Sequence, residues 1–254
     1  MAVAGIAAEA GPAVQMDSTI YVRNLCALWQ FDASLASTIE AVHPEDLPPL
    51  EPARGEDAWT VRGGGGKMRN AECGMQNEEQ AARGPNVAAS TRNLKPETRN
   101  ALYLHSRYRP LQEADGWAAA LDSGLVSERY VVVVSGWGLG YHVKALFDRL
   151  AEDALVLVAE PDITLLKAAL RAVDVSAMLA TGRVLIFAGT TALDRGAIVE
   201  RLESRGVLFT AGRGTLFAAH GPSVQVAGAF HGAFQNLITE FVAYTRTGFV
   251  TLML

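Results

Sequence analysis

The apolar positions of this chain fall into distinct rhythms. Val131 to Val134 is an unbroken apolar run, which predicts a strand buried on both faces, as in the middle of a parallel sheet. Residues 154–159 (ALVLVA) and 183–187 (RVLIF) predict two further strands, and Val207–Thr210 a fourth. Between them the spacing turns helical. Val143, Leu146, Phe147 and Leu150 share one face, as do Ile163, Leu166, Ala169, Leu170 and Val173, and Leu193–Ser204 predicts another helix. Alternating strands and helices with short connections predict a parallel sheet wound by right-handed crossovers. A long helix follows over Pro222–Tyr244, with Val226, Phe230, Phe234, Leu237, Ile238 and Phe241 on its apolar side.

The N-terminal part is less regular. Ile20–Val42 reads as helix, split near Asp32 and Ser34, and His43–Pro52 reads as an acidic, proline-rich connector that excludes helix. Trp59–Val61 predicts a short strand. Leu102 and Leu104 alternate, Ser106–Pro110 reads as a turn, and a helix starts at Pro110, runs through Leu121 and stops at Gly124. The fold class expected is α/β, a Rossmann-like three-layer sandwich with a mostly parallel sheet, preceded by an irregular α+β segment. Four stretches are expected: a disordered tail (1–16), a helical and irregular segment with a flexible glycine-rich loop (17–99), the α/β domain (100–246), and the start of a linker (247–254).

Composition narrows the partners. The net charge is −5, and all of it resides in residues 1–130, which hold twelve basic and seventeen acidic side chains; residues 131–254 hold ten of each. Neither half has the basic surplus that nucleic acid or an anionic membrane requires. No uncharged apolar run approaches the ~18 residues of a membrane span. The small, apolar start lacks a basic region and contains Glu9, so it reads as a tail and not as a signal peptide. Cys26 and Cys73 lack metal-ligand spacing and read as free thiols of a reducing, cytoplasmic compartment.

Candidate chemistry concentrates between Val131 and Asp162. Gly136, Gly138 and Gly140 follow the valine strand and precede a helix, and Glu160 ends the next strand twenty residues on. In a nucleotide-binding βαβ unit such glycines admit a phosphate to the helix N-terminus, and such an acid accepts from ribose hydroxyls. These four residues are the cofactor-binding candidates, although no particular cofactor is indicated. Tyr141 stands where the dinucleotide pattern wants glycine. Val134 stands where adenosylmethionine-dependent methyltransferases usually carry an acid. Trp137 is bulky enough to fill a ligand's space. The alternative is a tight strand-to-helix turn with Glu160 capping the next helix, which Pro161 and Asp162 also suit. Elsewhere, Gly63–Gly66 precede Lys67, but Met68 stands where a phosphate loop needs Ser or Thr, so the run reads as a flexible loop. Residues 69–99 are polar and read as surface. His105 beside Ser106 lacks an orienting third group, His142 reads as packed or capping, and His220 and His231 show no metal pattern. No catalytic or metal-binding residue is assigned.

Three segments carry a resemblance. Tyr103–Ala114 (YLHSRYRPLQEA), Gly136–Leu146 (GWGLGYHVKAL) and Ala159–Leu170 (AEPDITLLKAAL) together resemble the N-terminal domain of motility accessory factor proteins, over about residues 100–254. That family resembles glycosyltransferases that attach nonulosonic, sialic-acid-like sugars to flagellin. The resemblance implies a non-catalytic Rossmann-like domain that positions flagellin or another acceptor, or packs against a catalytic central domain. Arg246–Leu254, apolar and untapered, resembles the link to that central domain, so a fragment of a longer protein is expected.

Overall fold

The computed structural model describes residues 18–63, 102–121, 131–205 and 214–253. The expected tail, most of the glycine run, residues 69–99, Gly124 and the strand expected at Val207–Thr210 lie outside them. Two helices open the described chain, α1 (Ser18–Trp29) and α2 (Ala33–Ala41). They separate at Asp32, whose side chain accepts from Leu35 N and caps α2. The proline-rich connector, expected to exclude helix, holds one 3-10 turn at Pro44–Asp46. A proline is tolerated at the first helical position because no hydrogen bond is required of it there. Strands β1 (Leu50–Pro52) and β2 (Trp59–Val61) then pair antiparallel, and α3 (Pro110–Ala120) starts on its proline.

The α/β unit follows: β3 (Val131–Ser135), α4 (Tyr141–Phe147), β4 (Leu155–Glu160), α5 (Ile163–Ala172), α6 (Ser176–Leu179), β5 (Val184–Ala188), α7 (Arg195–Ser204), β6 (Thr215–Ala219) and α8 (Gly221–Met253). The central sheet has the order β5-β4-β3-β6 and is parallel throughout. Among the described residues the fourth strand of the sheet is Thr215–Ala219, a segment not read as a strand from the sequence. Among the described strands it lies at the edge of the sheet, with Phe217 39% exposed and Ala218 buried, so it does not need the continuous valine-like run that marks a strand covered on both faces.

Alternation along the strands divides the core in two. Val132, Val134, Val156, Val158, Val184 and Ile186 face one layer with α1, α2, α4, α5 and α6. Val131, Val133, Leu157, Ala159, Leu185 and Phe187 face α7 and α8. The expected three-layer α/β sandwich is thus the observed one. The N-terminal helices belong to it. Asn24, fully buried, donates to Leu170 O (2.8 Å) and Val173 O (2.7 Å) and accepts from Val175 N (2.9 Å). Lys167 Nζ closes the end of α2 through Glu40 O and Val42 O, and Arg201 pairs with Asp32. Among the described residues, no helix is long and apolar enough to cross a membrane. Helix α8 breaks from helical geometry at Ala227 (φ −137°, ψ 45°), and its course to Met253 covers positions 247–253, where a linker was expected.

Candidate functional site: a closed glycine turn beside a histidine crevice

The four sequence candidates meet at the C-terminal end of the sheet. Gly136, Gly138 and Gly140 all adopt positive φ, at 93°, 54° and 86°, the region that side chains rarely enter. The space beside them belongs to the protein itself. A Cβ on Gly136 would lie 2.2 Å from Ser223 Oγ, one on Gly138 2.6 Å from His105 Nε2, and one on Gly140 3.1 Å from the Trp137 ring. Trp137 is fully buried. The glycines thus admit Ser223, His105 and Trp137 close against the turn.

The donors of the turn are engaged as well. Glu160 turns inward, 3% exposed, and its Oε2 accepts from Trp137 N (2.9 Å) and Gly138 N (3.2 Å). Its Oε1 accepts from Asp162 N at 3.1 Å. His105 Nε2 accepts from Leu139 N at 3.0 Å. Gly136 N and Gly140 N bond to Ala159 O and Trp137 O. Every N–H from Gly136 to Gly140 therefore has an acceptor within the protein. Burial pushes the Glu160 carboxyl up to about 7, against the pull of its three N–H donors, and the charge on Asp162 adds to the rise. Asp162 itself caps α5, accepting from Thr164 N and Leu165 N. Tyr141, where glycine was expected, anchors the β1–β2 pair by accepting from Trp59 N (2.9 Å). Burial raises its phenol to about 12.

Beside the turn lies a crevice of histidines. His105 from the loop before α3, His142 from the first turn of α4 and His220 from just after β6 are all buried. The rings of His142 and His220 stack with centroids 4.0 Å apart and planes 10° from parallel; His105 lies 5.1 Å from His220 and 5.5 Å from His142. Trp117 of α3 meets His142 edge-on and donates to Ala219 O. One turn into α8's second part, His231 is buried with neither ring nitrogen bonded. Burial lowers His105 to about 3, helped by His220, and lowers His220 to about 4, helped by His231. Burial likewise lowers His231 to about 4 and His142 well below the usual histidine range. The cluster is therefore neutral near pH 7, with imidazole lone pairs and no charge to hold an anion.

No protein family model and no curated protein matches the chain. Among solved structures, it is similar to a candidate O-methyltransferase from Klebsiella pneumoniae. The identity is 18% and the TM-score 0.24, over 35% of this chain and 45% of that one. The chain thus spans less than half the length of that structure, and a likeness this slight bears on neither fold nor function.

The histidines were not assembled by sequence reading. Each stands alone in the sequence, and the cluster joins segments 37 to 115 positions apart. The available signal was position: His142 opens a helix after β3, and His220 follows β6 directly. Because Thr215–Ala219 was not read as a strand, His220 had no place at the sheet's end.

Proposed function

We propose that this chain is the N-terminal Rossmann-like domain of a motility accessory factor-like glycosyltransferase, serving flagellin glycosylation with sialic-acid-like sugars without performing the transfer itself. On this reading it positions flagellin, or packs against the domain that carries the chemistry. The supporting observation is that the three segments bearing the resemblance meet in one closed knot. His105 of the first and Glu160 of the third both bond to the Trp137–Leu139 backbone of the second. A turn whose N–H groups are all taken internally has none left to offer a nucleotide phosphate. Its glycines and acid then serve shape, as an accessory domain requires.

The test has two arms. Surface plasmon resonance with immobilised chain and purified flagellin monomers is expected to show saturable binding. Calorimetry with adenosylmethionine and with a cytidine-monophosphate sugar is expected to show no heat at millimolar ligand. Saturable heat with either would replace this reading with an adenosylmethionine-dependent methyltransferase-like or nucleotide-sugar-binding domain. Absence of flagellin binding removes the acceptor role.

A further inference from the structure

The histidine crevice lies at a special place in the sheet. From β3 the chain proceeds outward to β4 and β5, then returns to add β6 on the other side of β3. The gap between the C-terminal ends of β3 and β6 is the topological switch point, where parallel α/β sheets bind their ligands. His142 follows β3 and His220 follows β6, so the imidazoles fill that gap. One ring nitrogen from each of His105, His142 and His220 lies within 4.8 Å of the other two.

The bond of the His142 ring fixes which of its nitrogens is free. His142 Nε2 lies 2.9 Å from Gly136 O. A carbonyl only accepts, so Nε2 carries the hydrogen and Nδ1 carries the lone pair. That Nδ1 is buried without a partner. His220 Nδ1 lies 2.8 Å from Ser223 Oγ, an oxygen that can accept or donate; in the tautomer whose Nδ1–H donates there, Nε2 carries the lone pair. In His142 one nitrogen is held by an oxygen and the other is bare, which is how proteins orient metal-binding histidines.

We propose that His105, His142 and His220 bind one divalent transition-metal ion of the zinc class, leaving a coordination position open. Neutral imidazoles suit such ions and not magnesium or calcium, which take oxygen ligands. Three protein ligands with a remaining open position is the pattern of reactive zinc sites, whereas structural sites are closed by four. His105 joins by exchanging its bond from Leu139 N for the metal, so that donor must find another acceptor on loading. Bonds of ~2.0–2.1 Å in tetrahedral geometry place ligand nitrogens about 3.3 Å apart. The cluster therefore contracts on loading, and the stacked pair of rings splays. This site goes beyond the accessory role proposed above and does not depend on it.

The test uses the full chain, stripped with a chelator and titrated with Co²⁺ and then Zn²⁺. One equivalent of Co²⁺ is expected to give visible absorption that Zn²⁺ abolishes. Nitrogen NMR of the imidazoles is expected to show His142 Nδ1 shifting with Zn²⁺ while His231 stays unmoved. His142→Ala and His220→Ala are expected to abolish binding, and Cys26→Ser to leave it intact. Ser223→Ala, which only frees the His220 ring, is expected to weaken binding ~10–100-fold. No stoichiometric binding by the wild-type chain would overturn the proposal, as would binding that survives in both histidine variants. Should those variants not fold, an unshifted His142 Nδ1 in the wild-type protein overturns it.

Discussion

The glycine turn and the histidine crevice share the C-terminal end of one sheet, yet the backbone donors of the turn are all paired, whereas imidazole nitrogens of the crevice, like Trp137 Nε1 of the turn, are buried without partners. In the turn, the backbone donors from Gly136 to Gly140 are all matched, three of them by the side chains of Glu160 and His105. In the crevice, His142 Nδ1 and both nitrogens of His231 are buried with no partner. Backbone donors are obligatory, so a fold that buries them must satisfy them or lose stability. A side-chain nitrogen left bare is optional, because an apolar residue would fill the same space without the loss. The turn that most resembles a binding motif thus has its backbone donors paired within the protein, while the histidines next to it carry the unpaired side-chain nitrogens.

Glu160→Ala should break this contrast most severely. It leaves Trp137 N, Gly138 N and Asp162 N without their acceptor in a buried place. At about 1–3 kcal/mol for each orphaned donor, urea unfolding should report a loss of roughly 3 kcal/mol or more. A loss under about 1 kcal/mol would mean that solvent or a ligand reaches these donors.

The pH dependence sharpens the same point. Burial raises the folded Glu160 carboxyl to about 7 from a usual 4.5, so the folded state holds more protons between those values. Its contribution is complete below the lower value and is lost as pH rises through 7. Relative to Glu160→Gln, the wild-type protein should therefore lose roughly 3 kcal/mol between pH 4.5 and 8 in urea titrations. The opposite slope would show that the three N–H donors outweigh desolvation.

Gly138→Ala should cost about 2 kcal/mol or more, since it forces a side chain to positive φ and sets a Cβ 2.6 Å from His105 Nε2. Thermal unfolding checks this; an unchanged midpoint would mean that the His105 ring is free to withdraw. His231→Leu should do least. Removing two unpartnered buried nitrogens is expected to leave stability within about 1 kcal/mol of the wild type, or to raise it. A loss above about 2 kcal/mol would show that those nitrogens are bonded after all.

How much of this was legible follows from the range of the interactions. Val131–Val134, the helical spacing of Ile163–Val173 and the Pro110 start are local signals, and each element formed where expected. The sheet edge was not legible, because β6 is half exposed and alanine-rich. In the candidate site, the positions of Gly136, Gly138, Gly140 and Glu160 were readable, and so was the bulk of Trp137. Their use was not, since Ser223 and His105 reach the turn from distant segments. The same holds for the histidines: His105, His142 and His220 become one group only through β6 and the loop before α3, long-range pairings that no local spacing encodes.

The central claim is that the glycine turn is closed by the protein's own side chains. Residue-resolved amide hydrogen exchange at Trp137, Gly138 and Leu139 tests it most directly, with and without millimolar adenosylmethionine or a cytidine-monophosphate sugar. Protection equal to that of Val132 and Val133, unchanged by either compound, is the expected result. Rapid exchange in the free protein, or protection that appears only with ligand, would contradict it.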